Sequence, residues 1–140
     1  MQTITVLGLM SGTSMDGLDC GLYKITLTSD YNLDWTCIDF QTFPYSTDIR
    51  DSIDKSLQAN EKMIQETDRK LGMEFAVLSE KFIRGRNVDL IATHGQTIAH
   101  DDGFSTQQIG DPQYLQKKYR YQWSIIFVRL ILMQEVMALH

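Results

Sequence analysis

A glycine- and hydroxyl-rich loop near the N-terminus lies between two apolar runs, and this pattern restricts the folds that the chain can adopt. The loop spans Gly8 to Asp19 with the sequence GLMSGTSMDGLD, and it separates Ile4–Leu7 from Leu18–Ile25. Apolar runs on both sides of such a loop predict two strands joined by a hairpin. Because the tip offers small residues, backbone N–H groups and hydroxyls, we expect it to bind an anion, most simply a nucleotide phosphate. It is not a Walker A loop, since no Gly-Lys-Ser/Thr string follows.

The composition is that of a globular protein rather than a disordered or nucleic-acid-binding one. The 140 residues are 43% hydrophobic and 22% charged with a net charge of −5, and no basic stripe is present,. Cys20 and Cys37 lie in apolar runs without a preceding signal peptide, which predicts reduced core residues in a cytoplasmic protein. The apolar stretch Ser124–Leu139 is too short to span a bilayer and contains Arg129 and Glu135, so we expect no membrane association.

Strand-like patterns fill the first third of the chain, and helical spacing follows. The predicted strands are Thr3–Leu9, Leu18–Thr28 and Trp35–Phe43,. Ser46 or Thr47 can cap a first helix that ends near Leu57, and Asn60 can cap a second that ends near Arg84. The second helix has Gly72 as its weak point, and its predicted core stripe is Met63, Leu71, Phe75, Leu78 and Phe82,.

The last predicted elements complete an α/β order. They are a buried strand at Val88–Ala92 that runs into a polar loop, a hairpin-like segment at Gln107–Pro112, and a helix that begins at Gln113–Lys118. Fold class alone does not assign a function.

Three strings carry a resemblance to a known family. Gly8–Asp19 resembles the N-terminal signature of the anhydro-N-acetylmuramic acid kinases, His94–Ile98 (HGQTI) resembles their second motif, and Gln108–Pro112 (QIGDP) resembles their third. The strings occur in family order with family-like spacing, and the resemblance covers residues 3 to about 120. It implies an actin-like ATPase (ribonuclease H-like) core, of which this chain holds the N-terminal lobe only, incomplete.

The resemblance implies a cytoplasmic enzyme of peptidoglycan recycling that uses ATP and Mg²⁺. Such a kinase opens the ring of 1,6-anhydro-N-acetylmuramic acid with water and phosphorylates its 6-oxygen, which gives N-acetylmuramic acid 6-phosphate. It also allows a homodimer of the complete family member, and it implies neither a nucleic-acid partner nor a membrane.

Site residues follow from the same resemblance. The implied ATP-binding residues are Gly12, Thr13, Ser14, Met15, Asp16, Gly17, Leu18 and Asp19. Asp16 is expected to hold a Mg²⁺ water, with Asp19 as the alternative. His94, Gln96 and Thr97 are the implied sugar contacts, at the carboxyl end of a buried strand.

Two residues of the second and third motifs, His94 and Asp111, have alternative interpretations. His94 can instead be a structural hydrogen-bonding residue, or can form a metal site with His100, although two histidines without a third ligand are a weak signal. Asp111 is either a turn former or a sugar contact.

After about residue 120 the chain departs from the family pattern, which continues into a segment that carries the base aspartate. Codons can be chosen for Gln122–Leu139 so that a neighbouring reading frame spells VVHHFRPPDIDAGGNGA, which resembles that segment. We therefore hypothesise an out-of-frame tail. The predicted division is a partial N-terminal ATPase lobe at 1–120 and an aberrant apolar tail at 121–140, with no core to join and a tendency to aggregate.

No residue matches the base aspartate, so no catalytic residue is assigned and efficient turnover is not expected. Two functions stay open: a kinase by family, or a truncated, non-catalytic remnant that at most binds nucleotide. A different actin-like ATPase, of the chaperone or acetate kinase type, is a third alternative. The His94–Ile98 string argues against it.

Overall fold

The computed structural model describes residues 2–12, 15–56, 60–99, 106–119 and 124–127. Strands form the larger share of the elements in these ranges. In chain order the elements are β1 (Gln2–Ser11), β2 (Gly17–Leu27), β3 (Leu33–Pro44), α1 (Thr47–Ser56), α2 (Glu61–Ile83), β4 (Leu90–Thr93), β5 (Gln96–Ala99), β6 (Thr106–Ile109), α3 (Gln113–Tyr119) and β7 (Ser124–Phe127).

The main sheet is mixed, with the strand order β3-β2-β1-β4-β7. Strands β1, β2 and β3 form an antiparallel meander, while β4 runs parallel to β1 and β7 runs parallel to β4. The α/β prediction is therefore confirmed at the level of a mixed α/β fold. Because Leu9 of β1 is opposite Thr93 of β4, the loops that follow these two strands leave the same edge of the sheet.

Side-chain caps fix where the two long helices begin, as the sequence predicts. The Ser46 hydroxyl accepts a hydrogen bond from the Ile49 amide at 3.3 Å, and the Asn60 side chain accepts one from the Met63 amide at 3.1 Å,. Helix α2 ends at Ile83, and its C-cap residue Arg84 has a left-handed φ of 52°. The chain therefore leaves α2 at the residue predicted from the sequence, one position before Gly85.

The hydrophobic core lies between helix α2 and one face of the sheet. The core face of α2 includes Leu71, Phe75 and Phe82, as predicted, but Ile64 lies on it in place of Met63. Met63 is 39% exposed. The prediction for Met63 was wrong because adjacent helical residues point about 100° apart, so only one of this pair can face the sheet.

Strand β3 is an edge strand, and most of its side chains are exposed on both faces. Cys20 on β2 is buried as predicted, but Cys37 on β3 is exposed, which corrects the prediction that both thiols belong to the core. Alternation indicates a strand in the sequence, but it does not reveal whether anything covers either face.

The two thiols should react at very different rates in the native protein. Burial raises the pKa of the Cys20 thiol to about 12, so little thiolate forms at neutral pH, and a reagent reaches it only after an opening of the fold. We expect Cys37 to label at the rate of an exposed thiol and Cys20 to label more than about a thousandfold more slowly. Mass spectrometry after timed alkylation measures both rates, and rapid double labelling without denaturant would contradict the structure.

Part of the apolar tail joins the sheet. Strand β7 (Ser124–Phe127) pairs with β4, with Leu90 opposite Ser124, so these four residues of the predicted tail belong to the main sheet. The other predicted tail residues lie outside the described ranges. Among the helices in the described part of the chain, none has both the length and the apolar content to cross a membrane.

Candidate functional site

The first and second sequence motifs meet at the carboxyl edge of β1 and β4. The Ser11 hydroxyl donates a hydrogen bond to the Gly95 carbonyl at 2.5 Å, and the Gln96 side-chain nitrogen donates one to the Gly12 carbonyl at 3.0 Å. The parallel pairing of β1 with β4 makes these contacts geometrically accessible. Two segments that are far apart in sequence thus form one local structure.

The predicted phosphate loop is anchored at both ends. The Gly12 carbonyl also accepts a hydrogen bond from the Met15 amide at 3.3 Å, and the Asp16 carbonyl accepts one from the Tyr45 amide at 2.8 Å. Met15 has a φ of 55° and packs against the core. Thr13 and Ser14, the predicted hydroxyl donors, lie outside the described residues.

The two candidate metal carboxylates have different surroundings. Asp16 is exposed at the loop, whereas the Asp19 carboxylate lies on β2 and accepts a hydrogen bond from the Thr42 hydroxyl of β3 at 2.6 Å. Gly17 and Leu18 begin β2, and the Leu18 side chain is fully buried in the core. Asp16 is thus the more exposed of the two candidate carboxylates.

The described residues contain no group of three or more histidine, cysteine or acidic side chains that could hold a metal. His100, the second member of the alternative histidine metal site, lies outside the described ranges.

The three predicted sugar contacts differ in exposure. His94 is half-buried just after β4, and its Nδ1 is buried without a hydrogen-bond partner in the described part of the chain. Gln96 is 1% exposed, and its amide nitrogen is bound to the phosphate loop. Thr97 is exposed on β5. Of the three, Gln96 is the one whose side chain, among the described residues, is hydrogen-bonded to the predicted phosphate loop.

Gly95 lets the second motif turn from β4 into β5, which the sequence predicted as loop. Its φ of 73° is left-handed, and a Cβ at this position would lie 2.5 Å from the Ile109 carbonyl oxygen. Strand β5 pairs with β6, with Gln96 opposite Ile109. Glycine at this position therefore allows the second and third motifs to approach each other.

The third motif is held by helix α2 through Asp68. The Asp68 carboxylate accepts a hydrogen bond from the Gly110 amide at 2.7 Å, and its main-chain carbonyl accepts one from the Asp111 amide at 2.9 Å. Burial raises the pKa of Asp68. The Asp111 carboxylate accepts a hydrogen bond from the Gln113 amide at 2.9 Å, which supports the interpretation of Asp111 as a turn former.

Sequence reasoning missed two residues of α2 that support the third motif. Asp68 carried no visible signal, because an acidic residue in a long helix is common. Gly72 was interpreted as a weak point, but the structure shows that a Cβ there would lie 2.3 Å from the Asp111 carbonyl oxygen. A glycine inside a strongly helical pattern was the available signal of a close approach.

A separate groove of about 680 Å³ lies at the amino end of β4 and contains none of the motif residues. Several of its charged groups already have partners: Arg86 binds Asp39 at 2.8 Å, and Lys118 binds Glu80. The candidate site is therefore the carboxyl edge of β1 and β4, where polar atoms of the first and second motifs meet.

Comparison with known proteins agrees with the motifs. A sequence model of the anhydro-N-acetylmuramic acid kinases matches residues 4–124. The anhydro-N-acetylmuramic acid kinase of Francisella tularensis subsp. novicida (strain U112) is 41% identical over 118 residues, which are 74% of this chain and 31% of that protein. Those of Bacillus cereus (strain B4264) and Pelagibacter ubique (strain HTCC1062) are 39% and 38% identical over 76% and 79% of this chain.

This chain spans about a third of the length of these relatives, namely 31%, 31% and 32%. The family match covers most of the chain and includes all three motifs. Hydrogen bonds join the first motif to the second, and the pairing of β5 with β6 joins the second to the third. The chain belongs to the anhydro-N-acetylmuramic acid kinase family.

Proposed function

We propose that this chain forms the nucleotide-phosphate side and part of the sugar side of an anhydro-N-acetylmuramic acid kinase. The observation that carries the proposal is the hydrogen bond from Gln96 to Gly12, which joins the second motif to the phosphate loop. A phosphate loop and sugar-lining residues must be adjacent in any kinase that transfers a phosphoryl group between the two ligands.

In this proposal the phosphate loop binds ATP through backbone amides and small side chains. The residues assigned to this role are Gly12, Thr13, Ser14, Met15, Asp16, Gly17, Leu18 and Asp19. Asp16 holds a Mg²⁺ water, since its carboxylate is exposed at the loop. His94, Gln96 and Thr97 line the sugar side and orient 1,6-anhydro-N-acetylmuramic acid.

In the complete enzyme, the water oxygen bonds to the anomeric carbon as its bond to the 6-oxygen breaks, and the water proton passes to a base. The freed 6-oxygen takes the γ-phosphoryl group from ATP, and ADP leaves. Bound ATP would supply the phosphoryl group, and Mg²⁺ would neutralise the negative charge of the phosphates. The residues of this chain contribute positioning: Gly12 and Asp16 fix the ends of the phosphate loop, and Gln96 fixes the loop relative to the sugar side.

We infer the actin-like ATPase fold, in its ribonuclease H-like form, for the same lobe. An antiparallel meander followed by parallel strands β4 and β7, with α1 and α2 inserted between β3 and β4, supports this inference. We also propose the division into a partial lobe at 1–120 and an aberrant apolar tail at 121–140, with a cytoplasmic location.

The second candidate function is a non-catalytic remnant that binds nucleotide. One observation favours it: among the residues that match the family motifs, none corresponds to the family's base aspartate. Because general base catalysis contributes about 10²–10⁴-fold, this chain would then bind ligand and turn over little or none.

A coupled ADP-release assay separates the two candidates. The 140-residue chain and a version with the family reading frame restored are each assayed with ATP, Mg²⁺ and the anhydro sugar. We expect turnover from the restored protein alone, which supports the kinase assignment for the family segment and the remnant assignment for this chain. Turnover by the 140-residue chain would place the base among Asp16, Asp19 and Asp111 instead.

Calorimetric titration with ADP and Mg²⁺ tests the nucleotide side directly. We expect Asp16→Asn to weaken Mg²⁺-dependent binding at least about tenfold, because a charge-assisted contact is lost. The control is Asp54→Asn, an equally exposed carboxylate on α1, which should bind like the unaltered chain. Equal affinities for all three proteins would remove Asp16 from the metal role.

A further inference from the structure

Gln96 is the one motif side chain in the described ranges that is almost fully buried and also bonded to another motif. It is 1% exposed at the start of β5. Its side-chain nitrogen donates to the Gly12 carbonyl at 3.0 Å and to the Thr97 carbonyl at 3.3 Å. A flipped amide would set its oxygen against two carbonyl oxygens, so these acceptors determine the orientation of the amide.

The second polar atom of Gln96, its Oε1, is buried and has no hydrogen-bond partner in the described part of the chain. Leaving such an acceptor unpaired costs about 1–3 kcal/mol. Nδ1 of His94, two residues earlier at the same edge, is also buried without a described partner. The structure thus has unmet hydrogen-bonding capacity on the side assigned to the sugar.

The chemistry of Oε1 limits what can bind it. An amide oxygen only accepts hydrogen bonds, so its partner must present an O–H or N–H group. Ionised nucleotide phosphates have no such donor, whereas a sugar carries hydroxyl groups and an N-acetyl sugar also carries an amide N–H. Near a phosphate loop, this atom therefore favours the sugar over the phosphate groups as its ligand.

We propose that Gln96 is a positioning residue that couples the two ligands: its nitrogen holds the phosphate loop through Gly12, and its oxygen accepts a hydrogen bond from a hydroxyl or amide N–H of the sugar. A sugar bound to Oε1 fixes the amide and thereby the Gly12 loop. By linkage, each ligand then raises the affinity of the other by the same factor. The inference rests on the proposed function for the identity of the ligands, but the contact with Gly12 stands without it.

Two substitutions remove the hydrogen bond from the Gln96 side chain to the Gly12 carbonyl. Gln96→Met keeps the length of the side chain and removes both the donor and the acceptor. Gln96→Glu keeps an acceptor but places a second oxygen against the Gly12 carbonyl. The matched control is Gln107→Met, the same chemical change at an exposed position on the neighbouring strand β6.

Hydrogen exchange of the loop tests the positioning role without any ligand. The amides of Met15 and Tyr45 close the two ends of the loop. We expect both to exchange about tenfold faster in Gln96→Met and Gln96→Glu, with unchanged protection in helix α2, and to be unchanged in Gln107→Met. Unaltered exchange of the loop amides in both Gln96 variants would overturn the positioning role.

Calorimetry tests the coupling. The dissociation constant of ADP with Mg²⁺ is measured with and without saturating 1,6-anhydro-N-acetylmuramic acid. We expect the sugar to tighten ADP binding about fivefold or more in the unaltered chain and in Gln107→Met, and to have no effect in either Gln96 variant. ADP binding that the sugar does not change would overturn the role of Oε1 and leave the proposed function standing. If the chain binds no ADP, the proposed nucleotide site is wrong, and hydrogen exchange alone decides the role of Gln96.

Discussion

Replacing Phe75 by alanine is expected to lower the free energy of unfolding by about 3–5 kcal/mol. The ring is 1% exposed in the core and stacks on Tyr45 with centroids 6.4 Å apart and planes inclined by 23°. It also lies beside Gly110 of the third motif, where a Cβ would come within 2.9 Å of it. The substitution leaves a cavity that borders helix α2 and the third motif.

Denaturant titration followed by circular dichroism measures this loss. Because domains of this kind are stable by only about 5–15 kcal/mol, Phe75→Ala should be close to unfolding at 37 °C. The control is Val77→Ala on the same helix at a position that is 47% exposed, where the change should be within about 1 kcal/mol. Similar losses at both positions would contradict the core assignment of Phe75.

Replacing Gly72 by alanine should destabilise the protein by about 2 kcal/mol or more, although the same change stabilises most helices by about 1 kcal/mol. A Cβ at this position would lie 2.3 Å from the Asp111 carbonyl oxygen and 2.8 Å from its amide nitrogen. The third motif must move away from α2 to accommodate it, which breaks the hydrogen bonds that Asp68 makes with Gly110 and Asp111.

Thermal denaturation gives the loss, and hydrogen exchange at the Gly110 and Asp111 amides shows where it arises. We expect faster exchange at these two amides in Gly72→Ala. The neighbouring change Met73→Ala, at a position 45% exposed, should leave both stability and exchange nearly unaltered. A more stable Gly72→Ala protein would mean that α2 and the third motif are further apart than the structure indicates.

Local signals in the sequence predicted most of the secondary structure. The caps at Ser46 and Asn60 act through hydrogen bonds within four residues, and the three strands of the meander occur within two residues of their predicted ends. The errors depend on tertiary packing. Exposure of Cys37 follows from the edge position of β3, and β5 exists because Gly95 turns the chain toward β6.

The candidate site was predictable in its residues but not in its connections. The motif strings identified Gly12, Gln96 and the third motif, yet nothing in the strings indicated that the Gln96 amide would bind the Gly12 carbonyl. Such a contact depends on the register between β1 and β4, which periodicity does not specify. Asp68 was missed for the same reason, since its function appears only when α2 packs beside Gly110.

The two segments that form the candidate site are far apart in sequence, and this separation determines when the site forms during folding. The hydrogen bonds Thr5–Asp89, Ser11–Gly95 and Gly12–Gln96 each join residues 84 positions apart. Closing a loop of this length lowers the conformational entropy of the chain before the stabilising contacts form. The step is therefore slow relative to hairpin or helix formation. During synthesis at about 5–20 residues per second, strand β4 is made roughly 4–17 seconds after the segment of the N-terminal hairpin with which it pairs,. The contacts between the first and second motifs therefore form late, as a property of the finished sheet rather than of the glycine-rich loop.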